Sequence, residues 1–394
     1  MKHLVLLGGG PAHLRVLHDL AASPLPGTRV TLIAPHGRHV APAMVAGWIS
    51  GRHTTAECCV ALAPLAARAG VSLVENDALA VDAGRRQISL ANGHSVSYDA
   101  LSIDVPAAPD RDRIAGAREN ALFHRPFDHF LRLWGALVAL SSEQALSVVV
   151  VGAEAPAIEL ALAVHLRLGK RARVALVTGH GAPVPHAPAM YQHRVRQLLK
   201  RGGVTLFEDR CDALFGNQML LGQGLRLACD APLVALDAGP PRWAPDSGLQ
   251  LGQKGFVLVG DTLQSVSHPE VFASGETAVR ADGWRPPAGL QLRGEEPLSL
   301  NLRRFLAGGM LVARRRRSGH LHLIDLGQGR AAARVGGFSA TGRWVGWLKE
   351  RADRERLAAL RAPGAPLESA EPEEPFLPTG QHPADELEAR ARPE

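Results

Sequence analysis

Three consecutive glycines follow a short apolar segment near the start of the chain, and this combination can bind phosphate. Residues 4–7 are typical of a buried strand, and an amphipathic helix is predicted to follow the glycines. Gly8 permits a sharp turn, and Gly10 has no side chain to keep a pyrophosphate away from the positive N-terminus of the helix. His13 replaces the third small residue of the Gly-x-Gly-x-x-Gly fingerprint. We therefore predict an imperfect dinucleotide-binding turn.

A second strand, turn and helix of the same kind is predicted over residues 147–169. Here Glu154 stands where a glycine would let the backbone approach a pyrophosphate. At short range, repulsion between a carboxylate and a phosphate costs on the order of a few kcal/mol, which lowers affinity by orders of magnitude. Glu154 therefore argues against NAD(P)H binding at this turn. A nucleotide-type domain retained as a scaffold explains the pattern at least as well as a working NAD(P)H site.

Further strands and helices follow each turn in the order expected of parallel sheets. After the first turn, the sequence predicts strands at residues 29–33, 71–75 and 98–104 and a helix over 57–69. After the second turn, residues 212–236 alternate as in a small antiparallel sheet. These patterns predict an α/β protein with two Rossmann-like three-layer domains, the second inserted in the first, and a small C-terminal α+β region.

Composition and charge limit the classes of protein that fit the chain. Of its 394 residues, 46% are hydrophobic and 21% are charged, which indicates a globular protein with a large core. The formal net charge of +6 is diffuse, so nucleic acid is not an expected partner. No apolar run is long enough for a membrane span or a signal-peptide core, and we expect a cytoplasmic protein.

The four cysteines do not indicate a metal or redox centre. Cys58 and Cys59 are adjacent and poorly placed to bridge one another, and no Cys-x-x-Cys pair occurs in the chain. We therefore expect neither zinc nor a redox disulfide, and we predict no metal site.

The helix predicted over residues 344–361 carries tryptophans next to basic residues. Trp344 and Trp347 suit a membrane surface, where indole rings lie at the level of the lipid headgroups. The alternative is a helix docked on its own domain. From residue 362 onward Pro, Ala and Glu dominate and the apolar periodicity ends, which predicts a disordered tail over 362–394.

Two later segments, residues 255–265 and 268–276, complete a set of motifs with the turn at residues 8–13. Together they resemble the two-domain pyridine nucleotide-disulfide oxidoreductases, which are FAD/NAD(P)-dependent flavoproteins. Within that family they resemble the type II NADH dehydrogenase branch, which has no redox disulfide. Segments 43–47 and 342–344 are most similar to the dehydrogenase-like domain that some bacteria fuse to selenide, water dikinase.

This resemblance implies a domain organisation and a cofactor. FAD is expected in the first domain, where the carboxylate of Glu276 accepts hydrogen bonds from the ribityl chain and the backbone near Ala78 contacts adenine. The expected domains are 1–116 with 256–310 (FAD-binding), 117–255 (degenerate NAD(P)-binding) and 311–361 (C-terminal). The residues that the resemblance assigns to cofactor binding are Gly8, Gly10, Pro11, Ala12, His13, Ala78, Gly275, Glu276 and Gly289.

By the same resemblance, the chain is expected to be an FAD-dependent oxidoreductase that passes electrons to a small-molecule acceptor such as a quinone. No catalytic side chain is predicted, because flavin accepts hydride without a protein nucleophile. One alternative, which Glu154 favours, is a binding or regulatory module that has kept the fold and lost NAD(P)H oxidation. Another is an electron-transfer flavoprotein supplied by a different donor. A peripheral position at the inner face of the membrane is the alternative to a purely cytoplasmic one, and the oligomeric state stays open.

Overall fold

The computed structural model describes residues 1–236, 239–283, 297–313 and 321–363. In chain order the strands are β1 (Lys2–Leu7), β2 (Thr28–Ala34), β3 (Arg38–Val40), β4 (Cys59–Ala61), β5 (Ser72–Glu75), β6 (Ala78–Asp82), β7 (Gln87–Leu90), β8 (Ser95–Ser97), β9 (Ala100–Ile103), β10 (Leu122–Phe123), β11 (Leu146–Val151), β12 (Ala172–Val177), β13 (Thr205–Phe207), β14 (Cys211–Phe215), β15 (Gln218–Leu221), β16 (Arg226–Ala228), β17 (Ala231–Val234), β18 (Val257–Val259), β19 (Val271–Ala273), β20 (Ala278–Arg280), β21 (Leu321–Gly327), β22 (Arg330–Val335) and β23 (Phe338–Gly342). The helices are α1 (Pro11–Ala22), α2 (Val45–Ile49), α3 (Thr55–Cys58), α4 (Leu62–Arg68), α5 (Ala117–Asn120), α6 (Phe127–Glu143), α7 (Ala155–Leu168), α8 (Ala189–Arg201), α9 (Leu298–Ala307) and α10 (Arg343–Leu360). Short 3-10 turns lie at Pro42–Met44, Gly169–Arg171, Gln253–Gly255 and Gly275–Thr277.

Five parallel strands form the first sheet, in the order β19, β9, β1, β2 and β5. Both faces of this sheet are covered, and β1 is therefore buried along almost all of its length. Successive side chains of a strand alternate between faces, so that Leu4 and Leu6 pack with α1 and α4, whereas Val5 and Leu7 pack with β6–β8. The edge strand β19 comes after the whole second sheet in the sequence.

The second sheet also consists of five parallel strands, in the order β10, β17, β11, β12 and β13. The two sheets confirm the predicted α/β fold class with two Rossmann-like domains. The antiparallel sheet predicted over residues 212–236 is formed by β14–β16. The prediction is wrong for β17, which joins the parallel sheet because all four of its residues are buried in the interior of the second domain.

The helix predicted over residues 57–69 is interrupted by a short strand. The helix α3 begins with a capping box, in which the side chains of Thr54 and Glu57 each bind the other's backbone N–H. At Cys59 the backbone becomes extended, and β4 pairs antiparallel with β3. Cys59 and Val60 are buried there, so burial in a small sheet outweighs the helical periodicity of the segment.

The antiparallel strands β21–β23 and the helix α10 form the C-terminal α+β region. The helix approaches the sheet closely at Gly346, where a Cβ would lie 2.0 Å from the carbonyl oxygen of Gly329. Apolar packing continues to Ala362, which is buried in the core of the first sheet. The prediction of a disordered tail over 362–394 is therefore wrong at Ala362, and residues 364–394 lie outside the described residues.

Candidate functional site

The first glycine turn joins β1 to α1 against the carboxyl end of β9. Gly8 has a φ of +103°, and a Cβ there would lie 2.2 Å from the carbonyl oxygen of Asp104, so a larger residue would force the backbone to shift. Gly10 is the N-cap residue of α1, and a Cβ there would lie 2.2 Å from the carboxyl carbon of Asp104. Both glycines thus make room for a residue that directly follows β9.

The carboxylate of Asp104 lies at the N-terminus of α1, where the sequence predicts a pyrophosphate. Its Oδ2 accepts the N–H of Ala12 at 2.8 Å and, more weakly, that of His13 at 3.4 Å. The carbonyl oxygen of Asp104 accepts the N–H of Gly10 at 3.1 Å, and Pro11 has no N–H to offer. The first N–H groups of a helix form its anion site, and here a carboxylate of the protein binds them.

His13 lies between α1 and β9, at the place of the third glycine of the fingerprint. It is fully buried, and its Nδ1 donates to the carbonyl oxygen of Gly8 at 2.6 Å. The other ring nitrogen, Nε2, accepts the hydroxyl of Ser102 at 2.8 Å. Burial lowers the pKa of His13 to about 4, so the ring is neutral at pH 7. The imidazole therefore connects the turn to the sheet.

The motif over residues 268–276, called the late motif below, contains β19 and meets the first turn at Asp104. Gly275 has a φ of +61°, and a Cβ there would lie 2.2 Å from Oδ1 of Asp104, so this glycine also makes room for that carboxylate. The next residue, Glu276, accepts the N–H of Ala107 at 3.1 Å and forms an ion pair with Arg125. The structure thus brings the glycine turn and the late motif together, as the resemblance predicts.

Two further histidines, His39 and His124, stand close to Glu276. His39 makes a hydrogen bond to the backbone of Gly9, and His124 Nδ1 lies 3.2 Å from the carbonyl oxygen of Val234. Burial lowers the pKa of each ring to about 4, against an opposing effect of Glu276. Both rings are therefore neutral polar groups near Glu276, and that of His39 also contacts the first turn.

The other residues of the predicted site lie in different places. Ala78 begins β6 near the carboxyl end of the first sheet, where the preceding Asn76 donates its N–H to the carbonyl oxygen of Ala34 at 3.0 Å. Gly289 lies outside the described residues. Asp104 was missed as a site residue, although an acidic residue directly after a buried strand beside β1 is a usable signal.

The second glycine turn has a different arrangement of charge. Gly152 is required, because a Cβ there would lie 2.4 Å from the carbonyl oxygen of Ala235. Glu154 is the N-cap residue of α7, but its side chain makes no capping hydrogen bond and its carboxylate lies 4.0 Å from His186 Nε2. The negative charge stays at the turn, and the carboxylate does not bind the first N–H groups of α7. Repulsion of NAD(P)H by Glu154 stays a prediction.

A buried charged cluster lies where α7, β21 and α10 meet. Glu159 accepts the N–H of Asp325 at 2.6 Å, and burial raises its pKa to about 7 although Lys349 opposes the shift. Lys349 donates to Asp353 at 2.8 Å and to the carbonyl oxygen of Ala43 at 2.9 Å. The cluster links the C-terminal region to α7 and to the 3-10 turn at Pro42–Met44.

The cysteines have no features of reactive thiols. All four are free, and burial raises the pKa of Cys58 to about 12 and that of Cys59 to about 11, so these thiols stay protonated at neutral pH. Among the residues that the structure describes, no group of three or more His, Cys, Asp and Glu side chains is placed to hold a metal ion.

One face of α10 packs on the protein, and the opposite face is exposed. Trp344 and Trp347 are each 59% exposed, and Leu348 beside them is 48% exposed. The guanidinium of Arg351 lies 5.6 Å from the ring centroid of Trp347. These four residues recur at helical spacing and are called the tryptophan stripe below. Within the described ranges, no helix has the length and apolar character needed to cross a membrane.

Comparison with known proteins assigns the chain to a family. The pyridine nucleotide-disulphide oxidoreductase profile matches residues 2–292, and the chain therefore belongs to that family. A curated relative, the NADH dehydrogenase-like protein YutJ of Bacillus subtilis, is 30% identical over 166 residues. That match covers 41% of this chain and 44% of YutJ, so the chain spans less than half the length of this relative.

Two solved structures show the same fold at low sequence identity. The sulfide:quinone oxidoreductase of Aquifex aeolicus has a TM-score of 0.73 and 16% identity, with 92% of each chain covered. NDH2 of Plasmodium falciparum, solved in complex with NADH, has a TM-score of 0.75 and 11% identity, with 91% of this chain and 97% of the other covered. At these identities the comparison establishes the fold.

FAD is the cofactor that the resemblance implies, and the described residues fit it on one condition. Gly8, Gly10 and Gly275 place no side chain in the turn, and His13 is buried beneath it. The position of the phosphate at the N-terminus of α1 is taken by the carboxylate of Asp104. A flavin nucleotide therefore fits once that side chain has turned away.

Proposed function

We propose that the protein is an FAD-dependent oxidoreductase of the NADH dehydrogenase-like type, which passes electrons from a reduced donor to a quinone or another small-molecule acceptor. The observation that carries the proposal is the convergence of two distant motifs. Gly10 of the first turn and Gly275 of the late motif both lie against Asp104 at the carboxyl end of β9. Family membership and the NADH dehydrogenase-like relative support the same proposal.

In this proposal the chain binds and orients the cofactor. The N–H of Ala12 and the N-terminus of α1 hold the pyrophosphate, and the backbone at Ala78 contacts adenine. Glu276, which Arg125 and Ala107 hold in place, presents its carboxylate to the ribityl chain. A bound flavin supplies the hydride and electron chemistry, so no protein nucleophile is required.

The absorption spectrum of the purified protein tests the proposal. We expect FAD to copurify or to be taken up on addition, with the change in flavin spectrum that accompanies binding. Stopped-flow mixing of the loaded protein with NADH or NADPH is then expected to bleach the flavin absorption. A colourless protein that leaves the spectrum of added FAD unchanged would contradict the proposal.

A second candidate is a binding or regulatory module that has kept the fold and lost NAD(P)H oxidation. Acidic side chains at both turns, Asp104 and Glu154, favour it. Flavin that binds but is not bleached by either nicotinamide would support this candidate, and Glu154→Gly would then restore some reduction if charge at the second turn is the obstacle. An electron-transfer flavoprotein supplied by another donor would bind FAD and ignore both nicotinamides, with or without that substitution.

The finer parts of the proposal concern organisation and place in the cell. We propose an FAD-binding domain over 1–116 and 256–310, with the degenerate NAD(P)-binding domain over 117–255 between its two parts. The C-terminal region over 311–361 presents the tryptophan stripe to the inner face of the membrane from the cytoplasm. Kinship with the dehydrogenase-like domain fused to selenide, water dikinase rests on the motifs at 43–47 and 342–344.

A further inference from the structure

We propose that Asp104 is an internal competitor of the nucleotide phosphate, whose carboxylate must leave the N-terminus of α1 before FAD can bind there. The inference rests on the proposed function, because it concerns how this chain admits the cofactor. Its consequence is an unusual pair of effects: the same carboxylate stabilises the protein without FAD and weakens its affinity for FAD.

The first step of the argument is the supply of hydrogen-bond donors. Oδ2 of Asp104 accepts the N–H groups of Ala12 and His13, and its carbonyl oxygen accepts that of Gly10. Pro11 between them contributes no N–H. A phosphate at this helix end needs the N–H groups of Ala12 and His13, and these donors serve one anion at a time.

The second step is space. A Cβ on Gly10 would lie 2.3 Å from Oδ2 of Asp104, and a Cβ on Gly275 would lie 2.2 Å from Oδ1. The two glycines that would allow close approach of a pyrophosphate therefore hold the carboxylate between them. Asp104 is only 2% exposed, so the carboxylate fills this space and is shielded from water.

The third step is charge. A carboxylate and a pyrophosphate within a few ångströms repel one another, and the repulsion is screened little at a buried site. Asp104 must therefore rotate away and give up its bonds to α1 when the nucleotide enters. Removal of the carboxylate eliminates both the repulsion of the pyrophosphate and the loss of the hydrogen bonds to α1. We therefore expect FAD to bind at least about tenfold more tightly.

The test compares three variants of the full-length protein with the wild type. Asp104→Ala removes the carboxylate, and Asp104→Asn removes its charge while retaining its volume and an oxygen that accepts the N–H of Ala12. Glu154→Gln removes an acidic charge from the equivalent turn of the second sheet and serves as the control. The dissociation constant of FAD is measured by flavin fluorescence titration and calorimetry, and the unfolding temperature is measured without FAD.

We expect Asp104→Ala to bind FAD at least about tenfold more tightly than the wild type and to unfold at a lower temperature without it. Asp104→Asn is expected to bind FAD with intermediate affinity, and Glu154→Gln with wild-type affinity. If neither Asp104 variant binds FAD more tightly than the wild type, the inference is overturned, and tight binding by the wild type would then leave the proposed function intact. If the Asp104 variants bind FAD more tightly but donors of several kinds fail to reduce it, the inference stands and the oxidoreductase proposal fails.

Discussion

At the scale of single residues, the pKa of His13 makes the stability of the first turn depend on pH. Burial lowers that pKa to about 4 in the folded protein, against about 6.5 in an unfolded chain. Between these values the unfolded chain binds more protons, so the free energy of unfolding falls as the pH falls from 6.5 to 4. At about 1.4 kcal/mol per pKa unit, this residue accounts for up to about 3 kcal/mol.

His13→Gln is expected to reduce this pH dependence by the share of His13, because glutamine does not titrate in the window. His39 and His124, whose pKa values burial also lowers to about 4, keep their own shares. Urea unfolding at pH 7 and pH 4.5 measures the change. His94, which lies in an exposed turn, provides the control His94→Gln, which is expected to leave the slope unchanged. Equal slopes for the wild type and His13→Gln would show that the buried ring is not the source of the dependence.

The same turn shows how much of a site can be predicted residue by residue. Gly8, Gly10 and His13 are neighbours in the sequence, and their geometry follows from the local strand, turn and helix pattern. Asp104 meets Ala12 from 92 positions away, and only the pairing of β9 with β1 brings it there. Local patterns therefore predict the first glycine turn but not the carboxylate that lies against it.

At the scale of elements, the junction of β1 and α1 depends on the glycine with a positive φ. Gly8→Ala places a Cβ 2.2 Å from the carbonyl oxygen of Asp104 at a φ of +103°, and we expect a loss of roughly 2–4 kcal/mol in the free energy of unfolding. Gly135→Ala in α6 is the control, since a Cβ there meets no atom within 4 Å apart from the backbone of its own helix and its chain neighbours; it is expected to stabilise by about 0.5–1 kcal/mol. Urea denaturation of both variants measures these changes in the free energy of unfolding. A Gly8→Ala variant as stable as the wild type would contradict the prediction.

The charged cluster where α7, β21 and α10 meet makes the free energy of unfolding depend on pH with the opposite sign. The pKa of Glu159 is about 7 in the folded protein and near 4.5 in the unfolded chain, so the folded state holds an extra proton between these values. The free energy of unfolding therefore falls as the pH rises from 4.5 to 7. We expect Glu159→Gln to remove this decline, gaining up to about 3 kcal/mol relative to the wild type between pH 4.5 and pH 8.

Unfolding of Glu159→Gln at both pH values measures that gain. Glu355→Gln, an exposed residue of α10, is the matched control and is expected to follow the wild type. A parallel shift of Glu159→Gln at both pH values would mean that Glu159 does not titrate in this window.

Two elements show why tertiary context overrides sequence patterns. The segment predicted as one helix over residues 57–69 is divided by β4, because β3 offers it a pairing partner. The strand β17 has a short apolar sequence that periodicity cannot assign to a particular sheet. Its place between β10 and β11 depends on the parallel strands around it. The longer helix α7, predicted within the strand, turn and helix over residues 147–169, was correctly predicted.

At the scale of the whole molecule, the tryptophan stripe is expected to determine attachment to lipid. Replacing Trp344 and Trp347 together by Gln removes two exposed indoles, and we expect roughly tenfold weaker binding to vesicles that contain anionic lipid. The control Phe215→Gln changes an exposed aromatic residue on β14 and is expected to bind like the wild type. Vesicle sedimentation at low and high salt measures both variants, and equal binding by all three proteins would contradict the membrane contact.

The position of β19 also affects how the chain is made. Until Val271–Ala273 leaves the ribosome, β9 has an uncovered edge, because the residues of the entire second sheet are synthesised in between. During that interval the second sheet can fold as a unit, while the nascent first sheet exposes unpaired N–H and carbonyl groups that attract other chains. When overexpression produces more nascent chains than chaperones can protect at this edge, we expect the protein to accumulate in inclusion bodies.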